Sequence, residues 1–327
     1  MPMDLSQQQH VAAAFALGVP QTIQSLGGTR NENYRLVTDL GTWFVRRRFS
    51  GYSEPARVEF DHAALRFLAS RGVAVSAPRT TAGHSTWLKD VDALWEVFPF
   101  VDGTTPAEGS ISQVRALGAA LGRFHAEGRA FQLRHDKSGP RGETCVLEML
   151  DIATRIDREQ AGCTVPLRRY RKWVVEAAEK LPMNAYLALP HTLVHGDIQP
   201  ANLIMREDHV AAFVDFDWCA WRPRVYDLAF AVLLCCSFHT TPIDGHDIWS
   251  LTQEPTISGK LAGALLDAYE ETAGLLCSLE RAALIPQITL SWCHCRLAGA
   301  LKVAPDRRAD FLSRPPDCLE KFLPWFE

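Results

Sequence analysis

Two short apolar runs, Leu203-Ile204-Met205 and Val210-Ala211-Ala212-Phe213-Val214, flank the polar segment Arg206-Glu207-Asp208-His209. Such a pattern folds as a β-hairpin. Just before it, Asp197 and Asn202 stand on either side of Pro200. Proline has no N–H and disfavours helix at the residue before it, so this stretch is a loop. With the turn centred on Asp208 and His209, paired antiparallel positions keep a constant index sum, and Asn202 is expected beside Asp215. The loop and the hairpin end then present two carboxylates and an amide oxygen together. These are hard oxygen ligands suited to Mg²⁺, with substrate phosphates completing the shell. In this reading Asn202 and Asp215 hold the metal and Asp197 is left to orient or deprotonate a hydroxyl. Asp217 is a second metal contact or a pocket charge.

At 327 residues the chain is long enough for one large domain or two lobes with substantial cores. A hydrophobic fraction of 47% with 22% charged residues is that of a globular protein in water. The formal net charge of −4, without a Lys/Arg stripe, gives no reason to expect nucleic acid as a partner. Nine cysteines without regular spacing fit reduced thiols in a cytoplasmic compartment. The opening Met1-Pro2-Met3-Asp4 lacks the basic and apolar regions of a signal peptide. The longest apolar run, from Leu228 to Cys236, is too short to span a bilayer and reads as a buried helix, so no membrane partner is expected. None of these patterns specifies an oligomeric state.

In chain order, Ser6 caps a helix running through Val11, Phe15 and Leu17 to Gly18. Thr22 to Leu26, Tyr34 to Val37 and Trp43 to Arg47 follow as an antiparallel meander. The turn containing Gly27, Gly28, Thr29, Asn31 and Asn33 either covers phosphates with its backbone N–H groups or simply reverses the chain. On the third strand, alternation puts Trp43, Val45 and Arg47 on one face and Phe44, Arg46 and Arg48 on the other. A cation facing the cleft would grip phosphates, and alternation alone leaves all three arginines open. Ser53-Glu54-Pro55 starts a helix ending near Gly72, and Ala93 to Val101 reads as a strand. From Ile111 helical spacing dominates: Val114 to Phe124, Leu147 to Ile156, Pro166 to Leu181, Leu261 to Tyr269, Arg281 to Leu301 and Cys318 to Leu323, with residues 129–145 as a loop. His125 is expected to cap or pack. Cys293-His294-Cys295 lacks the second pair that a zinc site needs.

His195-Gly196-Asp197 with Asn202, followed by Asp215-Phe216-Asp217, resembles the catalytic loop and metal segment of the aminoglycoside phosphotransferase and choline kinase superfamily. Asn31-Glu32-Asn33-Tyr34, Leu121-Gly122-Arg123-Phe124-His125 and Tyr226-Asp227-Leu228-Ala229 are most similar to its homoserine-kinase-like and stress-response-kinase-like branches. The resemblance implies an α+β, bilobal protein-kinase-like fold. Residues 1–98 would form a small antiparallel-sheet lobe for the nucleotide, and residues 99–327 a larger, mostly helical lobe for catalysis and the acceptor. It further implies ATP and Mg²⁺ as cofactors, Asp197 as base, and Asn202 and Asp215 as metal ligands. Matching Phe44-Val45-Arg46-Arg47 to the family pattern selects Arg47 as the phosphate-gripping cation. Matching Asp61-His62-Ala63-Ala64-Leu65 selects Asp61 as its partner, with Glu59 a rival because Asp is one methylene shorter than the usual Glu. Backbone groups from Glu96 to Phe98 would hold adenine, Val45 would pack on its face, and Gly28 and Asn31 would cover the phosphates. Asp227 would hold the backbone of the catalytic loop. The implied activity is transfer of the γ-phosphate of ATP to a hydroxyl of a small polar metabolite, an amino alcohol such as homoserine or a choline-like compound. The alternatives are an aminoglycoside-type antibiotic kinase with Asp151, Asp157, Glu159, Asp267, Glu270 and Glu271 facing the acceptor, a Ser/Thr protein kinase, and a nucleotide-binding scaffold.

Overall fold

The computed structural model describes residues 3–27, 31–49, 51, 53–91, 93–132, 142–241, 243 and 247–313. The chain opens with α1 (Leu5–Ala14). Its cap is Asp4 rather than the expected Ser6: the Asp4 carboxylate accepts from Gln7 N at 2.8 Å, and the Gln7 side chain reaches back to Asp4 N. This is the reciprocal capping arrangement. The helix also stops at Ala14, short of Gly18. The strands β1 (Pro20–Gly27), β2 (Glu32–Thr38) and β3 (Gly41–Phe49) form the expected meander. After α2 (Pro55–Ser70), β4 (Leu88–Lys89) and β5 (Ala93–Pro99) complete a five-stranded antiparallel sheet of order β1-β2-β3-β5-β4.

Register decides which face of this sheet meets what. Residues directly opposite on neighbouring strands share a face. Tyr34, Val45 and Val97 are in register, and so are Asn33, Arg46 and Glu96. The first set closes a core with Trp95 beneath Val11 of α1 and Phe15 just after it. Burying each such side chain contributes roughly 1.5–3 kcal/mol, so this face is held under α1. The second set is thereby turned toward the rest of the molecule.

The helical part follows: α3 (Ile111–Gly128), α4 (Gly142–Glu159), α5 (Thr164–Lys180), α6 (Met183–Ala188) and β6 (His191–Val194). The hairpin is β7 (Leu203–Arg206) with β8 (His209–Phe213), and β6 pairs with β9 (Ala220–Pro223). Then come α7 (Val225–Phe230), a π-helical turn at Ala231–Cys235, β10 (Ser237–Phe238), α8 (Ile248–Leu251), β11 (Thr256–Ile257), α9 (Gly259–Ala273), α10 (Ser278–Ala300) and α11 (Arg308–Ser313). Helix α4 begins inside the stretch expected to be loop. The expected helix from Cys318 to Leu323 lies outside the described residues, as does Gly28.

The central core joins Leu65 and Leu68 of α2 to Leu121 and Phe124 of α3, Phe213 of the hairpin and Leu265 of α9. Helices α3 and α9 approach backbone to backbone because α3 carries glycine at the contact. A Cβ at Gly118 would lie 2.2 Å from Leu265 O. A second core gathers Ile152, Tyr170, Cys293 and Phe311 from α4, α5, α10 and α11, and Cys293 is therefore a packing residue. Among the described residues no helix is long and apolar enough to cross a membrane.

Candidate active site

The loop between β6 and β7 is shaped by one buried acid. Asp227, near the start of α7, accepts from His195 N at 2.7 Å and Gly196 N at 2.8 Å. It is also 3.0 Å from His125 Nε2, whose Nδ1 meets the Tyr269 hydroxyl at 2.8 Å. His125 is thus part of the scaffold under the loop. Burial raises the Asp227 pKa, and His125 and the backbone donors outweigh it, leaving the carboxyl below its ordinary value. Gly196 has φ +84°, and a Cβ there would fall 2.2 Å from Trp218 O, so the loop closes only around glycine.

On this loop Asp197 Oδ2 accepts from Gln199 Nε2 and Asn202 Nδ2, each at 2.8 Å. Asn202 Nδ2 also donates to Asp197 O at 2.9 Å. The amide nitrogen of Asn202 is therefore committed to Asp197, which leaves its oxygen as the atom suited to a cation. Burial, reinforced by neighbouring Asp215, pushes the Asp197 carboxyl up to about 7.

The hairpin turn lies one position earlier than expected, at Glu207-Asp208, and a bulge separates Ile204 from Met205. Asn202 therefore faces Val214, whose N–H donates to Asn202 O at 3.0 Å. Asp215 follows with φ +66°, a left-handed conformation uncommon outside glycine and met at functional sites. Its side chain is 38% exposed, and Asp215 and Asn202 line the same cleft.

Arg46 closes the site from the sheet. Its Nη2 is 3.0 Å from Asp215 Oδ1, its Nη1 is 3.0 Å from Asp217 Oδ1, and its Nε meets Asn33 Oδ1 at 3.3 Å. Arg48 lies beside it, with Nη2 2.8 Å from Asp217 Oδ1, Nη1 3.2 Å from Asp61 and Nε 2.9 Å from Glu96 Oε1. Glu96 Oε2 in turn meets His62 Nε2 at 2.8 Å. Burial opposes ionisation of Arg46, Arg48, Glu96, Asp215 and Asp217, and at Asp217 burial, with Asp215 beside it, holds the carboxyl above its ordinary value. The mutual attraction wins for Arg46 and Arg48, held further toward the charged form, and for Glu96 and Asp215, held below the carboxylate range.

Three expected assignments are corrected by this geometry. Arg47 is on the α1 face, not in the cleft: it pairs with Asp90 at 3.0 Å and Glu32 at 3.6 Å, with its guanidinium over Trp95. Val45 is fully buried under α1, and Phe44 lines the cleft where an adenine-packing side chain was expected. Glu96 is mid-strand opposite Arg46 and fully buried, and β5 enters the cleft lining only from Phe98. Asp61 does meet a strand cation, but it is Arg48, while Glu59 is exposed. Asn31 reaches the cluster through Nδ2, 3.3 Å from Asp217 Oδ2. The signal that could have found Arg46 is apolar alternation. Tyr34, Leu36, Val45, Trp95 and Val97 form one hydrophobic face, which leaves Arg46 and Arg48 opposite.

The cleft between sheet and loop has a volume of about 400 Å³. Its wall combines the apolar Phe44, Phe98 and Ile204 with the polar Arg46, Asn202 and Asp215. The Phe44 and Phe98 rings are 6.2 Å apart. The donor set fits a divalent cation: Asn202, Asp215 and Asp217 supply only oxygen, and Asp61, Glu96, Asp215 and Asp217 place four carboxylates around two guanidiniums.

A small antiparallel sheet over a buttressed Asp–Asn loop, with a second acid at the end of the adjoining hairpin, defines a kinase-like phosphotransferase. The chain belongs to the APH group, the phosphotransferase enzyme family, whose profile matches residues 22–276. It is similar to a homoserine kinase of Afipia carboxidovorans, 23% identical over 295 residues that cover 90% of this chain and 80% of the relative. Its fold is that of a microcompartment-associated aminopropanol kinase, with TM-score 0.70 and 17% identity over 99% of this chain and 98% of the other. The same fold is found in the amicoumacin kinase hAmiN solved with AMP-PNP, Ca²⁺ and Ami, with TM-score 0.69 and 17% identity over 96% and 92%. The protein is a small-molecule kinase by family and fold.

Proposed function

We propose that this enzyme transfers the γ-phosphate of ATP to a hydroxyl of a small polar metabolite of the amino-alcohol kind. The observation that carries the reading is the Asp197 carboxylate, fixed by Gln199 and Asn202 beside the Arg46–Asp215 pair. Asp197 orients the acceptor hydroxyl and takes its proton. Arg46, in place of Arg47, grips the phosphates, and Phe44 and Phe98 pack on the base. Asn202 and Asp215 would hold Mg²⁺, with Asp217 beside them, and the metal would supply charge neutralisation on the phosphates. Asn31 lies over the same cluster. Residues 1–98 act as the nucleotide lobe and residues 99–327 as the catalytic and acceptor lobe. Because phosphoryl transfer passes through a loose transition state, positioning and charge matter more than basicity.

The similarity to homoserine kinases and to an aminopropanol kinase supports this acceptor class. The antibiotic-kinase reading loses several of the acids named for it. Asp157 pairs with Arg171, Glu159 with Arg308, Glu270 with Arg281 and Glu271 with Arg115. The test is an ATP-consumption screen with Mg²⁺ over amino alcohols, homoserine, choline, sugars and aminoglycosides, with the product identified by phosphorus NMR. Tight ATP binding with no consumption for any acceptor would favour the scaffold reading.

A further inference from the structure

A second cavity, of about 500 Å³, adjoins the nucleotide cleft and shares Thr105 and Ala201 with it. Pro200 and Ala201 of the catalytic loop form one wall, and Leu234 and Cys235 of the π-helical turn form another. The cavity thus adjoins the catalytic loop next to the nucleotide cleft.

Most polar side chains of this wall are already engaged. Gln113 bonds Ala107 N and Glu207 O, Ser237 bonds Leu233 O, and Thr240 and Thr241 bond Gln253. Glu108 is different. It stands on the turn before α3, its side chain 46% exposed, and His239 holds only Oε2, through Nδ1 at 2.9 Å and the backbone N–H at 3.2 Å. The His239 side chain is only 5% exposed, and Gly109 packs the turn against Phe238, so the carboxylate is placed rather than loose. Among the described residues lining this cavity, Glu108 is the one carboxylate, and none is Arg or Lys.

We propose that this cavity is the acceptor subsite and that Glu108 receives a cationic nitrogen, so that the preferred acceptor is an alcohol bearing an ammonium group and no carboxylate. The inference rests on the phosphoryl-transfer reading and deepens it. A carboxylate in this cavity would meet Glu108 with no Arg or Lys beside it, whereas an ammonium gains a charge-assisted hydrogen bond.

Steady-state kinetics with ATP and Mg²⁺ on 3-amino-1-propanol, 1,3-propanediol and homoserine test it. The amino alcohol is expected to exceed both others in kcat/KM by roughly ten- to hundredfold, the size of one charge-assisted hydrogen bond. In Glu108→Gln that advantage over the diol is expected to collapse, mainly through KM for the amino alcohol. Preference for homoserine or the diol, or an unchanged preference in Glu108→Gln, would overturn this inference alone. Transfer to none of the three, nor to any alcohol of the wider screen, would overturn the phosphoryl-transfer reading and this one with it.

Discussion

Arg46 Nη2 lies 3.0 Å from Asp215 Oδ1, so the sheet and the hairpin end are joined by an ion pair directly across the cleft. The neighbouring Arg47 is on the other face of the same strand, against Asp90. These two arginines therefore separate by face, and their substitution is expected to separate by effect. Arg46→Gln is expected to lower kcat/KM for ATP by roughly 10²-fold, the loss of a bidentate charged contact, whereas Arg47→Gln should change it less than about threefold. Steady-state kinetics with varied ATP decides between them. A larger effect at Arg47 would reverse the face assignment.

Asp197→Asn should reduce kcat by about 10²–10⁴-fold while leaving ATP affinity intact, measured by turnover and nucleotide titration. The pH dependence follows from the same group. The base must be ionised, so kcat/KM should rise with pH through an acid limb centred near 7. Stability runs the other way. The folded pKa is raised above the ordinary carboxyl value, so the folded protein binds the proton more tightly and loses stability as pH climbs from about 4 to about 7. The Tm advantage of Asp197→Asn over wild type should accordingly grow across that window and level off above it.

Asp227→Ala would leave His195 N, Gly196 N and His125 without their buried acceptor. Breaking such a cluster from one side costs about 3–5 kcal/mol, and denaturant unfolding should show a loss of that order together with lost activity. Wild-type stability in the variant would remove Asp227 from the support of the loop.

Gly196→Ala tests the loop closure itself. The added Cβ meets Trp218 O at 2.2 Å in a backbone with φ +84°. The clash and the strained dihedral together should destabilise by about 2 kcal/mol or more. Thermal unfolding and kcat report both consequences, and a Tm matching wild type would mean that the loop closes another way.

Val45→Ala and Phe44→Ala form a matched pair. Val45 is fully buried beneath α1, so its truncation should lower stability by about 1–3 kcal/mol and leave KM for ATP nearly unchanged. Phe44 lines the cleft, so its loss should raise KM for ATP with a smaller effect on unfolding.

The hairpin and its acids were legible because both rest on short-range rules. Apolar runs around a polar turn specify pairing, and Pro200 marks the loop, so Asp197, Asn202 and Asp215 could be brought together from spacing alone. The turn closes one position early, at Glu207-Asp208, and the bulge between Ile204 and Met205 takes back one residue of the resulting shift in register; no short pattern announces either. The meander of β1 to β3 and the helix at Pro55 were legible for the same local reasons.

Alternation divided Arg46 and Arg48 from Arg47, and so by itself the sequence determined which arginines share a face. Which of those faces looks into the cleft was decided only by tertiary structure. Helix α1 packs on the side of Tyr34, Val45 and Val97, and the burial of that apolar set turns Arg46, Arg48 and Glu96 toward Asp215 and Asp217. The support of the loop by Asp227 is of the same kind: it joins residues far apart in the chain, and only the packing of helices and sheet, driven by burial of their apolar faces, brings them within bonding distance.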